Sequence, residues 1–204
     1  MAPKYKLIYF PVKGLAEPIR FLFAYLGEDF EDYRFNREDW PRIKQTTPWG
    51  KSPVLEVDGK AVSQSIAICR YLAKEAGLCG ADHWEDLRID EIVDSINDLR
   101  AELAKVAYES DEKRKTALRV PLVNEIVPFY MRRLNDIVKN NNGYLANKKL
   151  SWADLYFAAI LDYLSHIYGS DLTSGYPYLK ALKDKVYTIP RIKTWIDRRP
   201  DTDH

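Results

Sequence analysis

Two cysteines, Cys69 and Cys79, and three histidines, His83, His166 and His204, are the whole supply of thiol and imidazole ligands in 204 residues. No Cys-x-x-C spacing or Cys/His cluster occurs, so a zinc module, a dithiol redox motif and a histidine-centred triad find no support. No apolar run approaches the roughly 20 residues that cross a bilayer. Lys plus Arg total 31 and Asp plus Glu 30, a net charge of +1. That balance argues against the basic surface that nucleic acid or an anionic membrane selects. The apolar run within Met1–Phe10 is too short for a secretory leader, and Asp201-Thr-Asp-His is neither a prenylation box nor an organelle address. A cytoplasmic, reduced setting is expected, with Cys69 packed as a small buried hydrophobe.

What is present is ordinary for a globular protein: 46% hydrophobic and 30% charged residues, so disorder is not expected. The 14 Tyr and 5 Trp are a generous supply; aromatics mostly pack cores, but some could line a pocket for apolar ligands.

The most informative stretch is 49–68. Val54–Val57 and Lys60–Ser63 flank Asp58-Gly59, a strong hairpin signal. Pro53 enters the first strand, where a missing N–H is tolerated and a cis bond is possible. Ser65 opens a helical pattern carrying Ile66, Ile68, Leu72 and Ala73. A strand, a turn, a strand and a helix start gather several backbone donors, a pocket suited to a small peptide-like anion.

Upstream, Tyr5–Phe10 reads as a strand, Ala16–Leu26 as an amphipathic helix and Phe30–Phe35 as a weaker strand. The order β-α-β, an irregular stretch, then β-β-α predicts a four-stranded mixed sheet with helices on it, the thioredoxin-like arrangement. After Gly77 strand signals stop. Residues 78–85 read as a linker between a domain at 1–77 and an all-helical one at 86–204. From Leu87, Ile89, Ile92, Ile96, Leu99, Leu103 and Val106 trace one seam of a long helix. Val120–Val138 reads as a second helix, with Pro121 in its first turn and a kink at Pro128. Asn140-Asn-Asn-Gly143 is a stop, Ser151-Trp-Ala-Asp154 has capping-box form, and shorter helices at Tyr178–Val186 and Pro190–Arg198 close the chain. The expected class is α+β.

At this point the stretches Lys6-Leu-Ile-Tyr-Phe, Glu38-Asp-Trp-Pro, Gly50-Lys-Ser-Pro-Val-Leu-Glu-Val-Asp-Gly, Gln64-Ser-Ile-Ala-Ile-Cys-Arg-Tyr-Leu and Ser151-Trp-Ala-Asp resemble the cytosolic glutathione transferases, the sigma class in particular. That class includes insect transferases, the haematopoietic prostaglandin D synthase and the lens S-crystallins. The resemblance runs from about residue 4 to Arg198-Arg-Pro.

It implies that Tyr9 is catalytic and donates its phenolic hydrogen bond to the glutathione sulfur; read alone, Tyr9 is equally a strand aromatic packed in the core. Pro53 matches a cis-proline that turns the Ser52 backbone toward the glutathione cysteine, although a strand-initiating proline needs no ligand. Gln64 and Ser65 match the γ-glutamyl site, while Ser65 by itself is simply a helix N-cap. Trp40 and Lys44 match positions at the glycyl end, with Lys51 assisting. Asp98 matches a residue that reaches the γ-glutamyl amine from a second subunit, and Trp49 an aromatic that inserts into the partner of a homodimer. Leu15 stands where some relatives carry an arginine. Asn97, within Asp94-Ser-Ile-Asn-Asp98, stands where the prostaglandin synthase has a further acid of its divalent-cation site, so no required metal is expected. The electrophile is expected over Phe10 and Leu15, against Arg100, Ala104 and Tyr108.

The implied activity is addition of glutathione, a co-substrate, to lipophilic electrophiles such as lipid-peroxidation alkenals. Two alternatives stay open, a glutathione-dependent prostaglandin isomerase and a non-catalytic S-crystallin-like protein.

Overall fold

The computed structural model describes residues 4–202. The readings that concern Met1–Pro3, Asp203 and His204 lie outside them.

Strand β1 (Tyr5–Tyr9) is central, and its burial alternates as a half-covered strand requires. It pairs in parallel with β2 (Phe30–Arg34), Tyr5 opposite Phe30 and Tyr9 opposite Arg34. A parallel pair needs a crossover, and α1 (Glu17–Leu26) supplies it. On the other side β1 runs antiparallel to β3 (Val54–Val57), which turns into β4 (Lys60–Ser63). The order is β2-β1-β3-β4, the expected mixed sheet. Asp58 and Gly59 both have positive φ, 50° and 79°. That is the geometry of a two-residue type I′ turn and the reason Asp-Gly suits it.

The stretch between β2 and β3, read as irregular, contains a short helix α2 (Trp40–Lys44). Its five residues are too few to show a helical period. Helix α3 (Ser65–Glu75) follows β4. Here one expectation is corrected: Gln64 is the N-cap and Ser65 the first helical residue, and no side chain caps this end.

Every later element is helical. Helix α4 (His83–Ala107) begins four residues before Leu87, taking in His83–Glu85 of the stretch read as linker. Asp82 explains the early start, since its carboxylate accepts from Glu85 N at 2.9 Å. The single helix expected over Val120–Val138 is instead α5 (Glu112–Pro121), a π-helical segment (Leu122–Ile126) and α6 (Val127–Asn140). Neither Pro121 nor Pro128 has an N–H to give to the i−4 carbonyl, so the ladder resets through a wider turn between them. Pro121 therefore closes one helix rather than opening another. Helix α5 escaped a hydrophobic-period reading because Glu112-Lys-Arg-Lys carries no apolar stripe.

Helix α7 (Trp152–Tyr168) is buried nearly all round, packed against α1, α3 and α4 and against α8 (Pro177–Tyr187). Its capping box forms as expected: Asp154 accepts from Ser151 N at 2.8 Å and from Leu145 N at 2.8 Å. Helix α9 (Pro190–Arg198) packs on α1 and α8. Cys69 is fully buried, as expected. Among the described residues no helix is long and apolar enough to cross a membrane.

Candidate active site

Tyr9 ends β1 at the carboxyl edge of the sheet, where ligands of α/β sheets bind. It is 8% exposed. Its hydroxyl oxygen accepts from Leu15 N at 3.2 Å. One lone pair is thereby engaged, and the phenolic proton is left to donate elsewhere. Burial raises the Tyr9 pKa, against the Leu15 N–H and the Arg20 and Arg100 charges that lower it. The hydroxyl therefore stays protonated near neutrality, the state a hydrogen-bond donor needs. Gly14 lets the loop come this close: its φ is +44°, and a Cβ there would stand 2.7 Å from the Tyr9 oxygen.

That loop is held by a residue the sequence reading missed. Arg20 is fully buried and donates to the carbonyls of Val12 (2.9 Å) and Lys13 (3.3 Å), to Glu17 (3.1 Å) and to Asp32 (3.1 Å). The available signal was an arginine between Ile19 and the Phe21-Leu22-Phe23 run, a charge that burial forces to find partners.

Phe10 sits beside Tyr9 with a ring-centroid distance of 5.6 Å, and packs on Phe35 and Trp40 at 4.6 and 5.4 Å. This cluster fixes α2, whose first residue is Trp40 and whose last is Lys44. The Lys44 stem runs along Gly50, which is followed by exposed Lys51 and half-buried Ser52. The Ser52–Pro53 peptide is cis. Gln64, just after β4, has φ 80° and ψ 99°, a region disfavoured for a side-chain-bearing residue. Such outliers concentrate where a ligand is gripped. The first N–H groups of α3 follow it directly, with no side-chain cap and the positive end of the helix dipole beside them.

Across from Tyr9 lies α4. Arg100, Ala104 and Tyr108 are spaced four apart and share one face of it. Arg100 donates to Asn97 at 2.8 Å, and Leu15 is half-buried. Tyr108 is 69% exposed, so it is not a core aromatic, and its hydroxyl lies 3.2 Å from that of buried Tyr163 on α7. Tyr163 is a second hydroxyl at this site that sequence reasoning missed, since it falls on the buried face of α7. Asp98 is not brought to Tyr9. Two residues from Arg100 it points about 200° round the helix, into a groove with Phe129, Tyr130 and Arg133. Trp49 is likewise apart, 74% exposed after α2. Among the described residues no group of three His, Cys, Asp or Glu side chains is arranged to hold a metal.

A tyrosine ends β1, a cis bond precedes the proline at the start of β3, and α3 begins uncapped after β4. Residues 5–74 match the family described as Glutathione S-transferase, N-terminal domain, and residues 97–199 match Glutathione S-transferase, C-terminal domain. This chain belongs to the glutathione S-transferase family. The transferase is 51% identical over 199 residues to Glutathione S-transferase S1 of Drosophila melanogaster, covering 98% of this chain and 80% of that one. It is 50% identical to a Glutathione S-transferase of Anopheles gambiae, covering 98% and 99%. A solved prostaglandin synthase D of Nilaparvata lugens superposes with a TM-score of 0.94 at 54% identity, over 98% of this chain and 100% of that one. These similarities agree with the sigma-class resemblance. Glutathione is the co-substrate of the transferase.

Proposed function

We propose that this transferase activates glutathione as its thiolate at Tyr9 and adds it to lipophilic electrophiles, lipid-derived alkenals among them. The observation that carries this reading is the Tyr9 hydroxyl, buried, protonated and already accepting from Leu15 N, so that its proton is free for a sulfur anion. In this reading Ser52 pairs with the glutathione cysteine across the cis bond before Pro53. Gln64, Ser65 and the start of α3 take the γ-glutamyl carboxylate, and Trp40, Lys44 and Lys51 the glycyl end. The electrophile lies over Phe10 and Leu15 between Arg100, Ala104 and Tyr108, with the Tyr108 and Tyr163 hydroxyls beside its carbonyl. Residues 1–77 form the glutathione-binding domain, 78–85 the connection and 86–204 the helical domain, in a cytoplasmic protein that needs no metal.

The test is conjugation of a medium-chain 2-enal by purified protein, with thiolate absorbance followed as glutathione is added at neutral pH. Saturable thiolate formation and enal turnover are expected. Glutathione binding without thiolate formation would instead favour the S-crystallin-like alternative. The similarity to a prostaglandin synthase favours one further trial, turnover of a prostaglandin endoperoxide under the same conditions.

The site is completed, in this reading, by a second copy of the chain. Trp49 is exposed, and the groove of about 450 Å³ between α4 and α6 that contains Asp98 is partly apolar. A large exposed aromatic and a groove of this kind suit a homodimer anchor. Trp49→Ala should shift the sedimenting species from dimer to monomer at micromolar concentration and weaken glutathione binding, because Asp98 of the second copy is withdrawn. A variant that stays dimeric with unchanged binding overturns this.

A further inference from the structure

We infer that the transferase holds the terminal carboxylate of an amphiphilic electrophile in a cationic cavity beside Tyr108, so that its preferred substrates are acidic rather than neutral enals. This rests on the electrophile site proposed above.

The cavity, about 380 Å³, is lined by Arg37, Lys115, Arg119, His166 and Tyr108 and floored by Ile167. Tyr108 lines this cavity and also ends the electrophile face of α4, so the two adjoin at this residue. The cations come from two separate parts of the chain: Arg37 precedes α2, and Lys115 and Arg119 lie on α5, while His166 of α7 completes the lining.

Lys115 and Arg119 are four apart on one helix, where like charges repel. No carboxylate lines the cavity, and Arg37, Lys115 and Arg119 form no ion pair with any described residue. Arg119 Nη2 makes one long contact, to the Tyr168 carbonyl at 3.5 Å. Glu109, next to Tyr108 in the chain, is paired with Arg114 at 3.1 Å.

The complement of such a cavity is an anion. Its apolar floor and its junction with the electrophile face favour an anion on a hydrocarbon tether over a free inorganic ion. Tyr108 stands about two helical turns, roughly 12 Å, from Arg100 along α4, which suits a medium-length chain with its reactive end near Tyr9 and its carboxylate here. Planar guanidinium groups match a carboxylate in particular.

The experiment compares a medium-chain 2-enal ending in a carboxylate with its methyl ester, for the wild type and for R37Q/K115Q/R119Q. All three positions are at least partly exposed, so the fold should survive. The wild type should prefer the acid about tenfold in kcat/KM, a preference that added salt weakens. The triple variant should lose that preference while ester turnover stays within about twofold. Equal turnover of acid and ester by the wild type, or an equal loss on both in the variant, overturns the inference.

A second arm separates this from the enal reading. The saturated acid and its methyl ester are tested as inhibitors of conjugation of an aryl halide. If neither enal reacts but the acid still inhibits better than the ester, and only with the three cations present, the enal reading fails and the carboxylate site stands. If the two inhibit alike, the carboxylate site fails whatever the enals do.

Discussion

Tyr9→Phe should move the thiol of bound glutathione back to the ordinary thiol range. In the proposed reading the wild-type hydroxyl donates to a sulfur anion from a buried position, and helix α3 adds a positive dipole end. A depression of roughly two units from a free-thiol value near 8.5 corresponds to about 3 kcal/mol. At pH 7 the bound thiolate would then fall from about three-quarters to about 3% in the variant. Turnover at neutral pH should fall about 20- to 100-fold, in line with removal of a single donor to a reacting anion. Because the defect is one of ionisation, the variant should recover about tenfold in rate per pH unit and approach the wild type above pH 9. Loss of the hydroxyl also leaves Leu15 N without its acceptor, so glutathione affinity must be measured alongside. Affinity within a few-fold of wild type with a raised thiol pKa establishes the role. An unchanged thiolate titration assigns activation to another group.

Asp154→Ala should cost more stability than any other single substitution at a charged residue of α7. Asp154 is fully buried and accepts from Leu145 N, Ser151 N and the Ser151 hydroxyl, at 2.8, 2.8 and 3.1 Å. Alanine leaves those donors buried without partners, a loss of about 3–5 kcal/mol. For a chain of this length that lowers Tm by roughly 10 °C. Activity per folded molecule should persist at low temperature, since Asp154 does not touch the site.

Burial outweighs these donors and pushes the Asp154 carboxyl up to about 6. The folded state therefore binds its proton before the unfolded chain, whose carboxyl titrates near 4. This group's contribution is full below about pH 4 and lost as pH rises through about 6. Asp154→Asn removes that slope, so the gap in denaturation midpoint between wild type and Asn variant should be wider at pH 5 than at pH 7. Equal gaps would mean the carboxyl does not titrate in this range.

Local signals determined much of this protein. The Asp58-Gly59 turn, the Ser151–Asp154 cap and the seam from Ile89 to Val106 are written within a few residues of where they act, because turn dihedrals, caps and helix periods are short-range. The proposed roles of Tyr9, Pro53 and Gln64 rest on the family resemblance, while the backbone there, the end of β1, the cis bond at Pro53 and the positive φ of Gln64, is local. Where the pattern is not periodic, it misled. The five residues of α2 and the charged start of α5 show no apolar stripe, and the π segment between Pro121 and Pro128 depends on how two prolines share one ladder.

Only tertiary structure decided the rest. Arg20 gains its role from the loop, β2 and Glu17 that close around it. Tyr163 meets Tyr108 across 55 residues of chain, Asp98 faces away from Tyr9, and Arg37 joins Lys115, Arg119 and His166 at one cavity. None of these pairings has a spacing to read. They arise because packing α1 and α4 against α7 fixes which side chains share a space, and that depends on the whole core at once.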